Sequence, residues 1–156
     1  MKIRPLRKNE QAPYDLLLLS DDTRESIDKN IHNGEVFVAE IAEKIIAAFI
    51  LKAEEEYTVE IKNIAVMEGL QGNGVGTMLL GYIKEIAGIR GLNKLLVGTC
   101  DQCFKEMEFY KKSGFEIFNV RKNFFVDNYK DPIYENGIKI RDMVMLSVDL
   151  AKKSSA

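Results

Sequence analysis

The middle of the chain carries the clearest hydrophobic pattern, a helical repeat over residues 74–90. The apolar residues at positions i, i+3, i+4, i+7, i+8 and i+11 are Val75, Met78, Leu79, Tyr82, Ile83 and Ile86. This spacing predicts an amphipathic α-helix with one buried face. An apolar run that ends at Val66 and a loop with four glycines precede it. The sequence therefore predicts a strand, a glycine-rich turn and a long helix in direct succession.

Shorter patterns predict the elements before this unit. Strands are expected over residues 1–6, 35–41, 44–52 and 58–66, and helices over residues 10–19 and 24–31. The pair Asn33-Gly34 ends the second helix, and Ala42-Glu43 makes a tight hairpin between two strands. The last three of these strands therefore form an antiparallel meander.

The remaining elements follow the central helix. Residues 94–99 form a continuous apolar run, which is typical of a buried parallel strand. A helix is expected from residue 101 or 102 to residue 112, a strand over 115–125, a loop over 127–137 and a last strand over 138–150. Residues 151–156 are expected to fray. At 156 residues, the chain fits a single α/β domain over residues 1–150 with a mixed sheet.

The loop before the central helix predicts a phosphate site. The first amide groups of a helix lack intrahelical acceptors and lie at the positive end of the helix dipole, and glycines let a ligand approach the backbone. The P-loop pattern fails, because no lysine follows Gly76. The dinucleotide pattern also fails, because Thr77 stands where its third glycine belongs. A glycine-rich turn that binds nothing remains the alternative.

Three segments carry a family resemblance: Glu60-Ile61-Lys62-Asn63-Ile64-Ala65-Val66, Gln71-Gly72-Asn73-Gly74-Val75-Gly76 and Phe109-Tyr110-Lys111-Lys112-Ser113-Gly114-Phe115. In this order they resemble the fourth strand, the pyrophosphate loop and the Y-x-x-x-G-F signature of the GNAT family of N-acetyltransferases. A further likeness, through Asp131-Pro132-Ile133-Tyr134-Glu135-Asn136-Gly137 and Arg141-Asp142-Met143, is to a bacterial subgroup of small acetyltransferases.

The resemblance implies a fold and a co-substrate. The fold would be an α/β (α+β) domain with a mixed, mostly antiparallel twisted sheet of about seven strands, flanked by about four helices and splayed between strands 4 and 5. The co-substrate would be acetyl-CoA. The residues implied to bind it are Ile64, Ala65, Val66, Gln71, Gly72, Asn73, Gly74, Val75, Gly76, Thr77 and Cys103. Backbone amides near Ile64 to Val66 would stabilise the oxyanion.

Two residues carry the expected proton transfers. Tyr110 stands at the position of the family's tyrosine that points at the cofactor sulfur, where a phenol can protonate the leaving thiolate. Ordinary core packing is its alternative role. Glu60 is the expected general base, because a partly desolvated carboxylate with a raised pKa can accept a proton from the amine. A solvent-facing position at the sheet edge is its alternative, and His32 is a weaker option for a proton relay.

The motif Cys100-Asp101-Gln102-Cys103 permits a rival interpretation as a redox protein, since it lies where a strand meets a helix. A metal site is not expected, because one cysteine pair and one histidine leave a zinc ion short of ligands. In the family interpretation, Cys103 replaces an asparagine that bonds to the pantetheine arm in many relatives. Lysines 105, 111 and 112 are options for binding the cofactor's 3′-phosphate.

Composition limits the partners. A net charge of −2 gives no reason to expect nucleic acid or an anionic membrane, and no apolar segment approaches a membrane span or a secretory signal. We therefore expect a cytoplasmic protein. The resemblance implies an enzyme, a monomer or a homodimer, that acetylates the primary amine of a small molecule by direct attack in a ternary complex. A protein N-terminus or lysine is the alternative acceptor, and a non-catalytic CoA sensor is an alternative of another class.

Overall fold

The computed structural model describes residues 1–150 of the chain. Its strands are β1 (Lys2–Pro5), β2 (Glu35–Ile41), β3 (Lys44–Ala53), β4 (Thr58–Val66), β5 (Lys94–Cys100), β6 (Glu116–Arg121), β7 (Tyr134–Glu135), β8 (Ile138–Lys139) and β9 (Met143–Asp149). Its helices are α1 (Tyr14–Leu17), α2 (Arg24–Asn33), α3 (Val75–Ile89), α4 (Phe104–Lys112) and α5 (Phe124–Asp127). The fraying predicted for residues 151–156 lies outside the described residues.

Seven strands form one mixed sheet in the order β1-β2-β3-β4-β5-β9-β6. Every neighbouring pair is antiparallel except β4 and β5, which are parallel. The β2–β3 hairpin turns through Ala42 and Glu43, whose φ angles of 51° and 67° suit the tight turn predicted there. The predicted sheet of about seven strands is confirmed, and two of the five helices are single turns.

The parallel pair divides the sheet into two halves. β4 and β5 are paired only from Thr58 opposite Lys94 to Ile61 opposite Val97. Beyond that point, β4 continues for five residues beside β3 alone. The carboxyl halves of β4 and β5 therefore splay apart and open a V-shaped cleft, as the family resemblance implies.

Hydrophobic clusters cover the two faces of the sheet. The larger one joins α3 and α4 to one face through Leu79, Leu80, Ile83, Ala87 and Tyr110. A second cluster, with Leu17 and Ile27, joins α1 and α2 to the opposite face of β2 and β3. We call this opposite side the α1–α2 face. The helices on it reach only the first half of the sheet, whereas the α3–α4 face is covered across both halves.

A connection between β6 and β9, residues 122–142, forms a third unit that we call the strap. It holds α5 and the small β7–β8 hairpin. Phe125 and Ile140 of the strap bury themselves against Cys100 at the end of β5. The strap is thereby fixed over the end of the cleft.

Several predicted boundaries were wrong, and the physical reasons are local. The first helix spans only α1, because Pro13 disfavours a helical residue before it and the Ser20 hydroxyl donates to the Leu17 carbonyl at the other end. Helix α4 begins at Phe104, two or three residues later than predicted. Met78 is 58% exposed, because the buried stripe of α3 runs through Leu80 and Ala87 and is therefore rotated away from it.

The strap accounts for two further errors. Strand β6 ends at Arg121 and not at residue 125, because Asn123 adopts a left-handed φ of 58° and its amide donates to the Asp142 carboxylate at 2.9 Å. The last strand begins at Met143 and not at residue 138. Residues 138 and 139 instead form β8, which pairs with β7 through a turn at Asn136 and Gly137.

Candidate functional site

The loop before α3 presents a row of free backbone amides. Gly72 and Gly74 have φ angles of 80° and 84°, which favour glycine, and Gly74 caps α3 without a side-chain hydrogen bond. Within residues 1–150, none of the amides from Gly72 to Thr77 donates to a protein acceptor, and the first helical bond runs from the Met78 amide to the Gly74 carbonyl. These six N–H groups at a helix N-terminus make a cradle for an anion.

The flanks of this loop are tied down. The Gln71 side chain donates from Nε2 to the Val66 carbonyl at 2.9 Å, which links the loop to the end of β4. A β-carbon at Gly76 would lie 3.0 Å from Cζ of Phe109, so α3 approaches α4 closely only because this residue is glycine. The cradle is thus held between β4 and α4.

A groove of about 430 Å³ lies on α4 beside the cradle. Phe104, Lys105, Glu108, Phe109 and Lys112 line it. Two aromatic rings and two ammonium groups are suited to a flat base and a phosphate. Lys105 and Lys112, two of the three lysines predicted as options, therefore lie together, whereas Lys111 is not part of the groove and ion-pairs with Glu108 at 3.9 Å.

The end of β4 exposes main-chain groups to the cleft. The Met67 amide donates to the Ile46 carbonyl of the β3 side, and Ala65 lies opposite Ala48. Because successive residues of a strand direct their N–H groups to opposite sides, the amides of Ile64 and Val66 face the open side, toward β5. Of the three residues predicted here, Ile64 and Val66 offer donors to the cleft, and the Ala65 amide faces β3.

Tyr110 lies in the core beneath the cleft. Its side chain is 5% exposed, and its ring packs 5.2 Å from that of Phe109 and 5.6 Å from that of Phe115. Burial, with a smaller contribution from the charge of Glu106, raises the pKa of Tyr110 well above its usual value. The phenol therefore stays protonated at neutral pH. The structure shows its packing role, and the acid role stays a prediction.

Glu60 is buried, with 3% of the residue exposed, so the alternative of a solvent-facing edge position is excluded. Its Oε1 accepts from the Arg121 guanidinium at 3.0 Å, and its Oε2 lies 2.7 Å from the Lys62 ammonium. Cations therefore occupy both oxygens of the carboxylate that is the expected base. Arg121 has no sequence signal as a partner, because its strand is 61 residues away.

The two cysteines are joined. Cys100 at the end of β5 and Cys103 at the N-cap of α4 form a disulfide, and neither cysteine is free. The Cys103 sulfur thus has no thiol hydrogen to donate to a pantetheine arm. The predicted contact of Cys103 with the pantetheine arm stays a prediction, and the disulfide limits its side chain to packing there.

A polar network closes the α1–α2 face. The Tyr129 hydroxyl of the strap donates to the Asp21 carboxylate at 2.7 Å and lies 3.2 Å from the Ser26 hydroxyl. Burial, then the charges of Asp21 and Glu135, raise the pKa of Asp22. On the neighbouring strand, the Asn63 amide group donates to the Ser20 hydroxyl at 3.0 Å.

Sequence reasoning missed this network. Asn63 also accepts at 2.8 Å from the side chain of Asn30 in α2, so one group of bonds joins the strap to the α1–α2 loop and a second joins α2 to β4. A cluster of Ser, Asp and Thr before α2 signals a helix cap, and Thr23 does cap the helix. Nothing in that pattern indicates a contact with Tyr129, which is more than one hundred residues away.

Residues 1–150 contain neither a metal-binding cluster nor a helix that could span a membrane. Among residues 1–150, no cluster of three or more His, Cys, Asp or Glu side chains is arranged to hold a metal ion. None of the helices in that range has the length and apolar character needed to cross a bilayer.

Comparison with known proteins identifies the family. A family model described as an acetyltransferase (GNAT) domain matches residues 32–117. The uncharacterized N-acetyltransferase YvbK of Bacillus subtilis is 37% identical over 137 residues, which cover 88% of each chain. A GNAT family acetyltransferase from Elizabethkingia anophelis with acetyl-CoA bound is 41% identical, with a TM-score of 0.92 over 96% of this chain and 97% of that one.

A second solved structure agrees with the first. The Bacillus subtilis acetyltransferase in complex with CoA is 35% identical, with a TM-score of 0.87 over 96% of this chain and 99% of that one. The family model alone spans more than half of the chain, and both structures cover nearly all of it. The chain belongs to the GNAT family of N-acetyltransferases, with acetyl-CoA as its co-substrate.

Proposed function

We propose that this protein transfers the acetyl group of acetyl-CoA to the primary amine of a small molecule, with both substrates bound at once. The six amides between Gly72 and Thr77 carry this proposal, because they lack protein acceptors and sit at a helix N-terminus beside the cleft. A diphosphate bound there places the pantetheine arm along the splay between β4 and β5. The thioester then lies beside the exposed amides of Ile64 and Val66.

The chemistry uses few side chains. The amine attacks the thioester carbonyl, and the developing oxyanion accepts hydrogen bonds from the free amides at the end of β4. As the carbon–sulfur bond breaks, Tyr110 donates its proton to the thiolate, because its raised pKa keeps the phenol protonated. Glu60 accepts the proton of the amine. Since both its oxygens bind cations, we infer that the acceptor first displaces the Lys62 ammonium from Oε2.

The covered acceptor side favours a small molecule over a protein. Tyr129 ties the strap to the α1–α2 loop, so the entrance on this face is narrowed from both halves of the sheet. A lysine on a folded protein would need this network to open. A protein N-terminus or lysine remains the second candidate, and an extended peptide is the form that would fit.

A thiol-release assay tests the proposal. Purified protein with acetyl-CoA is mixed with a panel of primary amines, or with peptides that present a free N-terminus or lysine, and free CoA is measured. We expect release with small amines and little release with peptides. Acetyl-CoA should also raise the melting temperature, whereas NAD and ATP should not.

These two measurements, together with an insulin-reduction assay, separate the alternative functions. Thermal stabilisation by CoA without acetylation of any amine or peptide would identify a CoA sensor. Thiol-dependent reduction of insulin, lost on Cys100→Ser with Cys103→Ser, would reveal a redox activity. The predictions of a cytoplasmic location and of a monomer or homodimer stay predictions.

A further inference from the structure

One ion pair spans the divided sheet. Glu60 lies on β4 in the first half, and Arg121 lies on β6, the edge strand of the second half. Two strands, β5 and β9, lie between them. The Arg121 side chain therefore crosses the second half of the sheet to reach Glu60 at 3.0 Å.

The register identifies the face that Arg121 crosses. Arg121 lies opposite Met143, and Asn119 opposite Met145, which in turn lies opposite Gly98. Residues directly opposite each other in a sheet share a face. A β-carbon on Gly98 would lie 2.9 Å from the Met145 sulfur, so methionine side chains occupy the space above this glycine. Arg121 thus starts beside an apolar floor on the α1–α2 face, where neither α1 nor α2 reaches and the strap packs against Cys100 and Met143.

The cluster carries more positive than negative charge. Two cations, Arg121 and Lys62, share the single carboxylate of Glu60. The Arg121 side chain makes only one hydrogen bond to residues 1–150, through one of its five N–H groups, and it is 39% exposed. The Lys62 side chain is 19% exposed. The Arg121 side chain therefore keeps N–H groups that can donate to a ligand, and Arg121, Lys62 and Glu60 together leave one net positive charge at the cleft.

The cluster also lies where the acceptor must arrive. Pairing of β4 with β5 stops at Ile61, one residue beyond Glu60, so the cluster sits at the vertex of the cleft. Helices α3 and α4 cover the opposite face. An acceptor that enters from the α1–α2 face therefore meets Glu60, Lys62 and Arg121 before it reaches the exposed amides of β4.

We propose that Arg121, together with Lys62, binds a carboxylate of the acceptor, so that the substrates of this enzyme are amino carboxylates such as amino acids. The inference rests on the proposed function and names its substrate class. An amino acid presents an ammonium and a carboxylate a few ångströms apart, and the cluster presents the complementary charges. The ammonium takes the place of Lys62 at Glu60, and the carboxylate is bound by the free donors of Arg121 and by the displaced Lys62.

The test compares acceptors that differ only in the carboxylate. Glycine, leucine, phenylalanine and lysine are each assayed beside their amides, with wild-type enzyme and with Arg121→Gln. Because the pKa of the amine also differs between acid and amide, the variant-to-wild-type ratio of kcat/KM is compared within each acceptor. We expect Arg121→Gln to lower kcat/KM for the amino acids about 10- to 100-fold, mostly through KM, as for the loss of a charged hydrogen bond.

Controls separate this effect from misfolding. Lys122→Gln removes the neighbouring, exposed cation and should leave both acceptor classes unchanged. Arg121→Lys keeps a positive charge beside Glu60 but loses the planar guanidinium that can bind a carboxylate through two N–H groups. It should therefore keep the wild-type melting temperature and still lose kcat/KM for amino acids more than for their amides. The CoA dissociation constant should match wild type in all three variants.

The outcomes are distinct. An equal loss of kcat/KM for amino acids and for their amides in Arg121→Gln would overturn the inference and leave the proposed function intact. No acetylation of any amine by an enzyme that binds CoA would overturn the proposed function and the inference with it.

Discussion

Gly76→Ala tests whether the approach of α3 to α4 positions the phosphate cradle. The new methyl group would lie 3.0 Å from Cζ of Phe109 and 3.4 Å from Cε1, against an ordinary carbon contact of about 3.5–4.0 Å. Phe109 is half-buried and lines the open groove, so its ring can retreat by a few tenths of an ångström. We place the cost near the lower end of the range for overpacking, about 1–3 kcal/mol.

A helical glycine also has a cost that alanine removes. Replacing glycine by alanine inside a helix stabilises it by about 0.5–1 kcal/mol, with less at the first turn, where Gly76 lies. The net expectation for Gly76→Ala is a free energy of unfolding lower by about 0.5–2 kcal/mol. Gly81→Ala is the matched control, because Gly81 lies in the same helix with no atom within 4 Å of its added carbon. It should raise the free energy of unfolding by about 0.5–1 kcal/mol.

Urea unfolding measures both changes, and calorimetric titration with CoA measures the effect on the cradle. A displaced amide at Gly76 should weaken CoA binding about tenfold, which corresponds to the loss of one hydrogen bond to a charged group. Gly81→Ala should leave CoA affinity unchanged. If the two variants behaved alike in stability and in CoA affinity, the contact with Phe109 would have no bearing on the cradle and the reasoning would be refuted.

Three further substitutions probe the chemistry. Tyr110→Phe should lower kcat about 100-fold, as for loss of a general acid, and leave the CoA dissociation constant unchanged. Tyr82→Phe is the control and should change neither. An unchanged kcat in Tyr110→Phe would remove Tyr110 from the mechanism. The pKa of Tyr110 is raised in the folded state, so above about pH 10 this phenol ionises in the unfolded chain but not in the folded one. The free energy of unfolding of wild type should therefore fall as the pH rises above about 10, and that of Tyr110→Phe should fall less. Glu60→Gln should lower kcat about 100-fold, as for loss of a general base, with Glu85→Gln as control; unchanged kcat would remove Glu60 from the proton transfer. Tyr129→Phe removes the hydrogen bond to Asp21, so it should raise the KM of the acceptor and lower the free energy of unfolding by about 0.5–1.5 kcal/mol. Tyr57→Phe, at an exposed position, should change neither. If Tyr129→Phe and wild type had equal KM values, the strap would have no role in binding the acceptor.

The sequence predicted the elements that local rules determine. The meander β2–β4 was predicted to within a residue, because its strands are continuous β-rich apolar runs and the tight turn at Ala42 and Glu43 joins the first two. The cradle was predicted because glycines before an amphipathic helix leave free amides whatever surrounds them. Both features depend on residues close together in the chain.

Contacts between distant segments could not be predicted. The pairing of Glu60 with Arg121 depends on the insertion of β9 between β5 and β6, which no local pattern indicates. The contact of Tyr129 with Asp21 requires the strap to fold over the cleft. One error was avoidable, since Asn136-Gly137 is a strong hairpin signal that already marks the turn between β7 and β8.

The order of the strands also has a consequence for synthesis on the ribosome. The meander of β1 to β4 pairs strands that emerge one after another, so it can form while the nascent chain is still growing. β6 contacts only β9 in the sheet, and β9 is translated 21 residues after β6 has ended. Until then β6 is an unpaired strand with exposed Ile117, Phe118 and Val120, a segment open to aggregation and to chaperones. The half of the protein that completes the cleft is therefore the half that a stalled or prematurely ended translation would leave unfolded.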